Sequence, residues 1–160
     1  MKYAKLTKEQ FEELHEEFSV FLAAQSIDVK EWTQIKQDKQ ELAEKELEVF
    51  SDFVWEKVLT NARYIDHFSS DSLNLFKCDE DSLQRILVKV KKEGIDLLEA
   101  DGFNWFLDNS GDPGIEYLKG HKSYSKDRNE EIFELIKQGG VVSNGELFEG
   151  IYRLISNKAS

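Results

Sequence analysis

Residues 61–92 read NARYIDHFSSDSLNLFKCDEDSLQRILVKVKK, and this stretch decides the fold. Its apolar residues come in short pieces. The turn-forming clusters Ser69-Ser70-Asp71-Ser72 and Asp79-Glu80-Asp81-Ser82 separate them. Short apolar runs bounded by such clusters are the signature of hairpins. Three antiparallel strands are expected, at about 63–68, 73–78 and 83–90. In the third, Ile86, Val88 and Val90 alternate with Leu87 and Lys89, so one side of the strand is apolar. A sheet with one apolar side needs a cover.

The expected cover lies just before it. Residues 42–59, LAEKELEVFSDFVWEKVL, place Leu42, Ala43, Leu47, Val49, Phe50, Phe53, Val54, Val58 and Leu59 at three- and four-residue spacing. That spacing makes one bulky apolar face of a long helix, uninterrupted by Gly or Pro. Further towards the start, Thr7 followed by Gln10 forms a capping box. Phe11, Leu14, Phe18, Phe21 and Leu22 then line one face of a helix over 8–24, with Glu9, Glu12, Glu13, Glu16 and Glu17 opposite. Asp28 with Glu31 opens a short helix around Trp32 and Ile35. Residues 36–40 read either as a turn or as continued helix.

Beyond the strands, a short helix is expected at 102–107, with Phe103, Trp105 and Phe106 wedged against the core or one of them exposed. Residues 109–114 (NSGDPG) form a loop holding the single proline. A strand is expected at 115–118, a polar loop at 119–127 and a helix at 128–137. Gly139-Gly140 stops that helix. Ser143 with Glu146 caps a last helix lined by Leu147, Phe148, Ile151, Leu154 and Ile155. The class is α+β: N-terminal helices packed on a small antiparallel sheet, followed by C-terminal helices, in one domain over residues 1–160. A chain of this length buries roughly 70% of its unfolded surface and needs neither disulfide nor metal to fold.

Composition narrows the function. The formal charge is −11, with 8 basic and 14 acidic groups in residues 1–60 and 13 and 18 in the remainder. Both parts repel phosphate backbones, so nucleic acid is not an expected partner. No apolar run approaches the roughly 20 residues that span a bilayer, so no membrane role is expected. One cysteine, Cys78, permits no internal disulfide. With no charged-then-apolar leader after Met1, the chain reads as cytoplasmic.

Chemistry-bearing patterns are sparse. Glu12 and His15 share a helix face, but a di-iron bundle needs a second such pair, and none is present. Asp108, Ser110 and Asp112 are spaced like the start of a calcium loop, yet Pro113 and Lys119 stand where Gly and Glu are required. Cys78 lies beside Asp79, Glu80 and Asp81, which raise a thiol's pKa. No phosphate-cradling glycine loop, nucleophile elbow or paired-cysteine motif occurs. No catalytic residue, cofactor or metal is therefore assigned.

Residues 117–128, YLKGHKSYSKDR, are the one locally basic region. Tyrosines beside cations suit recognition of a peptide or an anion. Tyr117, His121, Lys122, Tyr124 and Arg128 are thus the candidate surface for a partner or ligand. The first expectation is a non-enzymatic interaction module that meets another protein through this region or through its acidic helices. The alternative is a small enzyme or ligand binder using His121, Tyr124, Asp127 and His67. A homo-oligomeric structural protein is the third.

Five segments carry a resemblance: KYxxLTKEQ at 2–10, FLAxQSI at 21–27, VFSDxVWEKVL at 49–59, KxYSxD at 122–127 and GELF at 145–148. Together they resemble a family of short acidic proteins of Bacteroidetes, a domain of unknown function. The resemblance spans nearly the whole chain and implies a bacterial, cytoplasmic setting. It implies no activity, cofactor or catalytic residue.

Overall fold

A computed structural model describes residues 1–158. The chain divides into two compact units, Met1–Thr60 and Asn61–Ser160. The architecture is α+β, with helices before and after a five-stranded antiparallel sheet.

The first unit is helical: α1 (Lys8–Glu13), α2 (His15–Ala23), α3 (Val29–Asp38) and α4 (Gln40–Asn61), which runs one residue past the boundary. Thr7 and Gln10 form the expected capping box. The single helix expected over 8–24 is broken at Leu14, whose backbone (φ −102°, ψ 22°) leaves the helical range and starts α2. Residues 36–40 resolve into the end of α3, a break at Lys39 and the start of α4. Phe50 of α4 is 1% exposed and sits among Phe11, Phe18 and Phe21, with ring centroids 5.0 to 6.1 Å away. The leading segment is pinned to α4. Asp52 accepts from the Lys2 and Tyr3 amides at 2.7 and 2.9 Å, and the buried Ser51 hydroxyl accepts from the Leu6 amide at 3.0 Å.

The second unit holds β1 (Tyr64–Phe68), β2 (Ser72–Cys78), β3 (Ser82–Val90), α5 (Ala100–Asp108), β4 (Ile115–Ser123), α6 (Arg128–Lys137), β5 (Val141–Ser143) and α7 (Glu146–Lys158). The sheet order is β4-β3-β2-β1-β5. The three expected strands form as read, joined by the two expected turns. Leu73, Leu75, Ile86, Val88 and Val90 make one apolar face, covered by Phe106 of α5 and Phe148 and Ile151 of α7. Phe103 and Trp105 pack at the margin of that core, so all three aromatics of α5 lie against it.

Two strands depart from expectation. β4 continues through Ser123, five residues beyond the expected end, because the nine-residue β3 pairs with it from Val90↔Ile115 to Ser82↔Ser123. An edge strand tolerates polar residues because one flank faces water. β5 forms after Gly139-Gly140 and pairs with β1. Ser143 therefore ends a strand and does not cap α7. Its hydroxyl accepts from the Gly145 amide, and Asn144 Oδ1 accepts from the Glu146 amide.

Candidate functional site

The sequence pointed to residues 117–128, and the structure sorts them into two groups. The first is the outer flank of β4. The Lys91 amide donates to the Gly114 carbonyl at 2.7 Å. In an antiparallel ladder, directly bonded pairs alternate with unbonded ones. The phase set at Lys91 then directs the main-chain groups of Leu118, Gly120 and Lys122 to β3. Those of Lys119, His121 and Ser123 point away from the sheet. β4 is the sheet's edge, and every residue from Leu118 to Ser123 is exposed. The Lys119 ammonium lies 5.1 Å from the ring centre of Tyr152 on α7. Lys119, His121 and Tyr152 border a shallow polar cavity of about 410 Å³ together with Ser82 and Gln84.

The second group faces inward. The Tyr124 hydroxyl donates to the Asp79 carbonyl at 2.8 Å. The Arg128 guanidinium donates to the same carbonyl at 3.1 Å, to that of Cys78 at 3.2 Å and to that of Ala62. These two side chains fasten the end of β2 to the start of α6. Lys122, on the opposite face from His121, pairs with the buried Glu131 at 3.2 Å. Burial pushes the Glu131 carboxyl up, but the Ser125 hydroxyl and amide and the Lys122 ammonium outweigh it, leaving the group below its ordinary value. Tyr117 is half-buried, and its hydroxyl donates to the Ser110 carbonyl. Of the five candidate residues, His121 and Lys122 are exposed on β4, while Tyr117, Tyr124 and Arg128 are anchored by their bonds to main-chain carbonyls.

His67 and His121 do not converge. The register carries His67 through Asn74 and Leu87 to Leu118, and carries His121 through Gln84 and Lys77 to Tyr64. Cross-strand partners share a face, so the two imidazoles lie on opposite faces. Asp127 stands at the start of α6 without a side-chain capping bond. Among the described residues, no three His, Cys, Asp or Glu side chains are placed to hold a metal ion. No helix among them is long and apolar enough to cross a membrane.

Cys78 is 1% exposed. Burial pushes its thiol up to about 11, with Arg128 pulling the other way and Asp79 adding to the rise. The acidic neighbours noted in the sequence are thus a lesser cause than burial. Burial also pushes the Tyr124 phenol up to about 12, and Cys78 adds to it. Both groups keep their protons in the folded chain at pH values where the unfolded chain releases them. The unfolded chain then binds fewer protons, so stability falls as pH rises. The fall starts near the ordinary thiol value of about 9 and runs to about 11 for Cys78. We expect urea unfolding to show a loss of about 2–3 kcal/mol from this group over that window. Cys78→Ala should flatten this part of the profile. A profile that is equally steep in the variant would remove Cys78 as its source.

An α+β protein with a five-stranded antiparallel sheet, one of whose edges is long, exposed and basic, is the class that these features define. The chain belongs to the family of unknown function DUF6495, whose model matches residues 1–156 and so spans both compact units. No curated protein and no solved structure is significantly similar to it.

Proposed function

We propose that the chain is a cytoplasmic, non-enzymatic interaction module that receives an extended acidic segment of another protein as a sixth strand on the outer flank of β4. The observation that carries this reading is the exposed stretch Leu118–Ser123, whose alternate main-chain groups at Lys119, His121 and Ser123 are directed away from β3. Added strands take their affinity from such groups and their specificity from alternate side chains. Charge selects the occupant. From Tyr117 to Lys126 the chain carries Lys119, Lys122 and Lys126 and no carboxylate, in a protein of net charge −11. A second copy of β4 would set these lysines against their own kind, which disfavours self-pairing. The single cysteine, Cys78, allows no internal disulfide, which suits a reducing compartment and supports the cytoplasmic part of the reading. The small polar cavity beside His121 favours the alternative, a binder of a small ligand at the same place.

The test uses the isotope-labelled full chain and two heptapeptides, one alternating Thr and Glu and the other Thr and Lys. The Glu peptide should shift and protect the amides of Lys119, His121 and Ser123, and should weaken as salt is raised. Lys119→Glu, which leaves the Lys122–Glu131 pair intact, should weaken it at least severalfold. Shifts confined to other residues, equal binding of both peptides or binding of neither would overturn the reading.

A further inference from the structure

A second feature belongs to the N-terminal unit and shares Phe11 and Phe18 with the aromatic cluster around Phe50. A cleft of about 740 Å³ opens between the leading segment and all four helices of that unit. Its apolar lining is the buried Leu6 with Phe11, Phe18, Trp32 and Leu47, which are half-buried. Phe18 meets Trp32 edge-on with ring centroids 5.2 Å apart, and Phe11 at 6.0 Å. A volume of this size, walled by aromatic and aliphatic groups with a few polar ones, is typical of small-molecule sites.

The cations at its mouth identify the ligand's head. Lys8 and Lys36 both border the cleft. Among the described residues neither is joined to a carboxylate, whereas Lys5 beside them is paired with Glu44. The Lys36 ammonium lies 5.9 Å from the Trp32 ring centre, so cation and apolar wall adjoin. Glu12 is the carboxylate of the lining, and it leaves a local excess of one positive charge. The unit as a whole carries 14 acidic and 8 basic groups. It therefore repels a multiply charged anion such as a nucleic acid or an acidic peptide, and penalises a single carboxylate far less.

We infer that this cleft binds an amphiphile with an apolar body and a single anionic head, a medium-chain carboxylate in chemical class, with the chain against Phe18 and Trp32 and the head at Lys8 and Lys36. Binding here is independent of strand addition at β4.

The inference is tested by calorimetric titration of the full chain with dodecanoate and with dodecyltrimethylammonium, each below its micellar concentration. Dodecanoate should bind with one site per chain, and the cationic probe of equal chain length at least tenfold more weakly. The double variant Lys8→Glu, Lys36→Glu changes only side chains at the mouth and should reverse that preference. Trp32→Ala, checked for native helicity by circular dichroism, should weaken dodecanoate at least tenfold. Equal binding of the two probes, the absence of saturable binding, or an unchanged preference in the lysine variant would overturn the inference, whatever happens at β4.

Discussion

Gly102→Ala is expected to destabilise the C-terminal unit by about 4 kcal/mol or more, a size that single substitutions reach only through a few mechanisms. The mechanism here is a close approach of backbone to backbone. A methyl group at Gly102 would lie 1.9 Å from the Asp96 carbonyl oxygen and 2.5 Å from its carbon. Neither atom belongs to a flexible side chain. The Asp96 carbonyl is also fixed by the turn before α5, where it accepts from the Glu99 amide at 3.1 Å. The next residue, Leu97, is 2% exposed, and its amide donates to the Ser70 carbonyl at 2.8 Å. To admit the methyl, α5 must move off this turn, and Phe106, 1% exposed, must leave the core with it. Gly150→Ala supplies the contrast. Gly150 lies within α7, and a methyl group there meets nothing within 4 Å. Replacing a helical glycine by alanine in open space restricts the unfolded chain and stabilises by about 0.5–1 kcal/mol. Urea unfolding of the two variants should therefore give shifts of opposite sign. A Gly102→Ala midpoint close to that of the parent would show that α5 does not sit so tightly on the Asp96 turn in solution.

How far the fold could be read from the chain depended on where apolar residues were compelled to be. β1, β2 and β3 were legible because their short apolar runs are set apart by the Ser/Asp-rich turns at 69–72 and 79–82, and because β2 and β3 bury alternate residues on the core face, whereas β1 buries Ile65 alone. The outer half of β4 was not. Lys119, Gly120, His121, Lys122 and Ser123 form a strand because β3 offers its free flank to them, and an edge strand in water leaves no apolar alternation to detect. β5 has only three residues, of which Val141 is 66% exposed, so neither length nor burial announced it. The break at Leu14 was hidden because residues on both sides of it keep the same apolar spacing. The candidate surface was half legible. Its basic charge drew attention to residues that are exposed, His121 and Lys122, though on a strand where a loop was expected. Tyr124 and Arg128 looked equally available, yet their partners are main-chain carbonyls 45 to 66 residues earlier, and pairing over that distance leaves no local mark. The aromatic cleft could have been anticipated from Phe11, Phe18 and Trp32, but its lysine-bordered mouth depends on how four helices meet.

Phe50→Ala is expected to cost the N-terminal unit about 3–5 kcal/mol, the range for removing a buried aromatic ring. The unit has few fully buried side chains to share such a loss. Neither α1 nor α3 contains a buried residue, and α2 contributes only Leu22. Phe50 is what the other rings rest on. Phe18 and Phe21 approach it at 5.0 and 5.3 Å with tilted planes, and Phe11 stacks at 6.1 Å. Three half-buried rings thus pack on one that is fully buried, and its removal opens a cavity beside all of them. Phe50→Leu keeps an apolar side chain in that place and should cost well under half as much, since near-conserved volume is tolerated in cores. Hydrogen exchange of the full-length chain reads the difference locally. In Phe50→Ala the amides of Phe18 and Leu22 should lose at least a hundredfold of protection, which corresponds to about 2.7 kcal/mol. In Phe50→Leu the loss should stay within about tenfold, or roughly 1.4 kcal/mol. Protection in α2 that is indifferent to both substitutions would mean that the ring cluster does not hold α1 and α2 against α4, and the apolar wall of the cleft would lose its foundation with it.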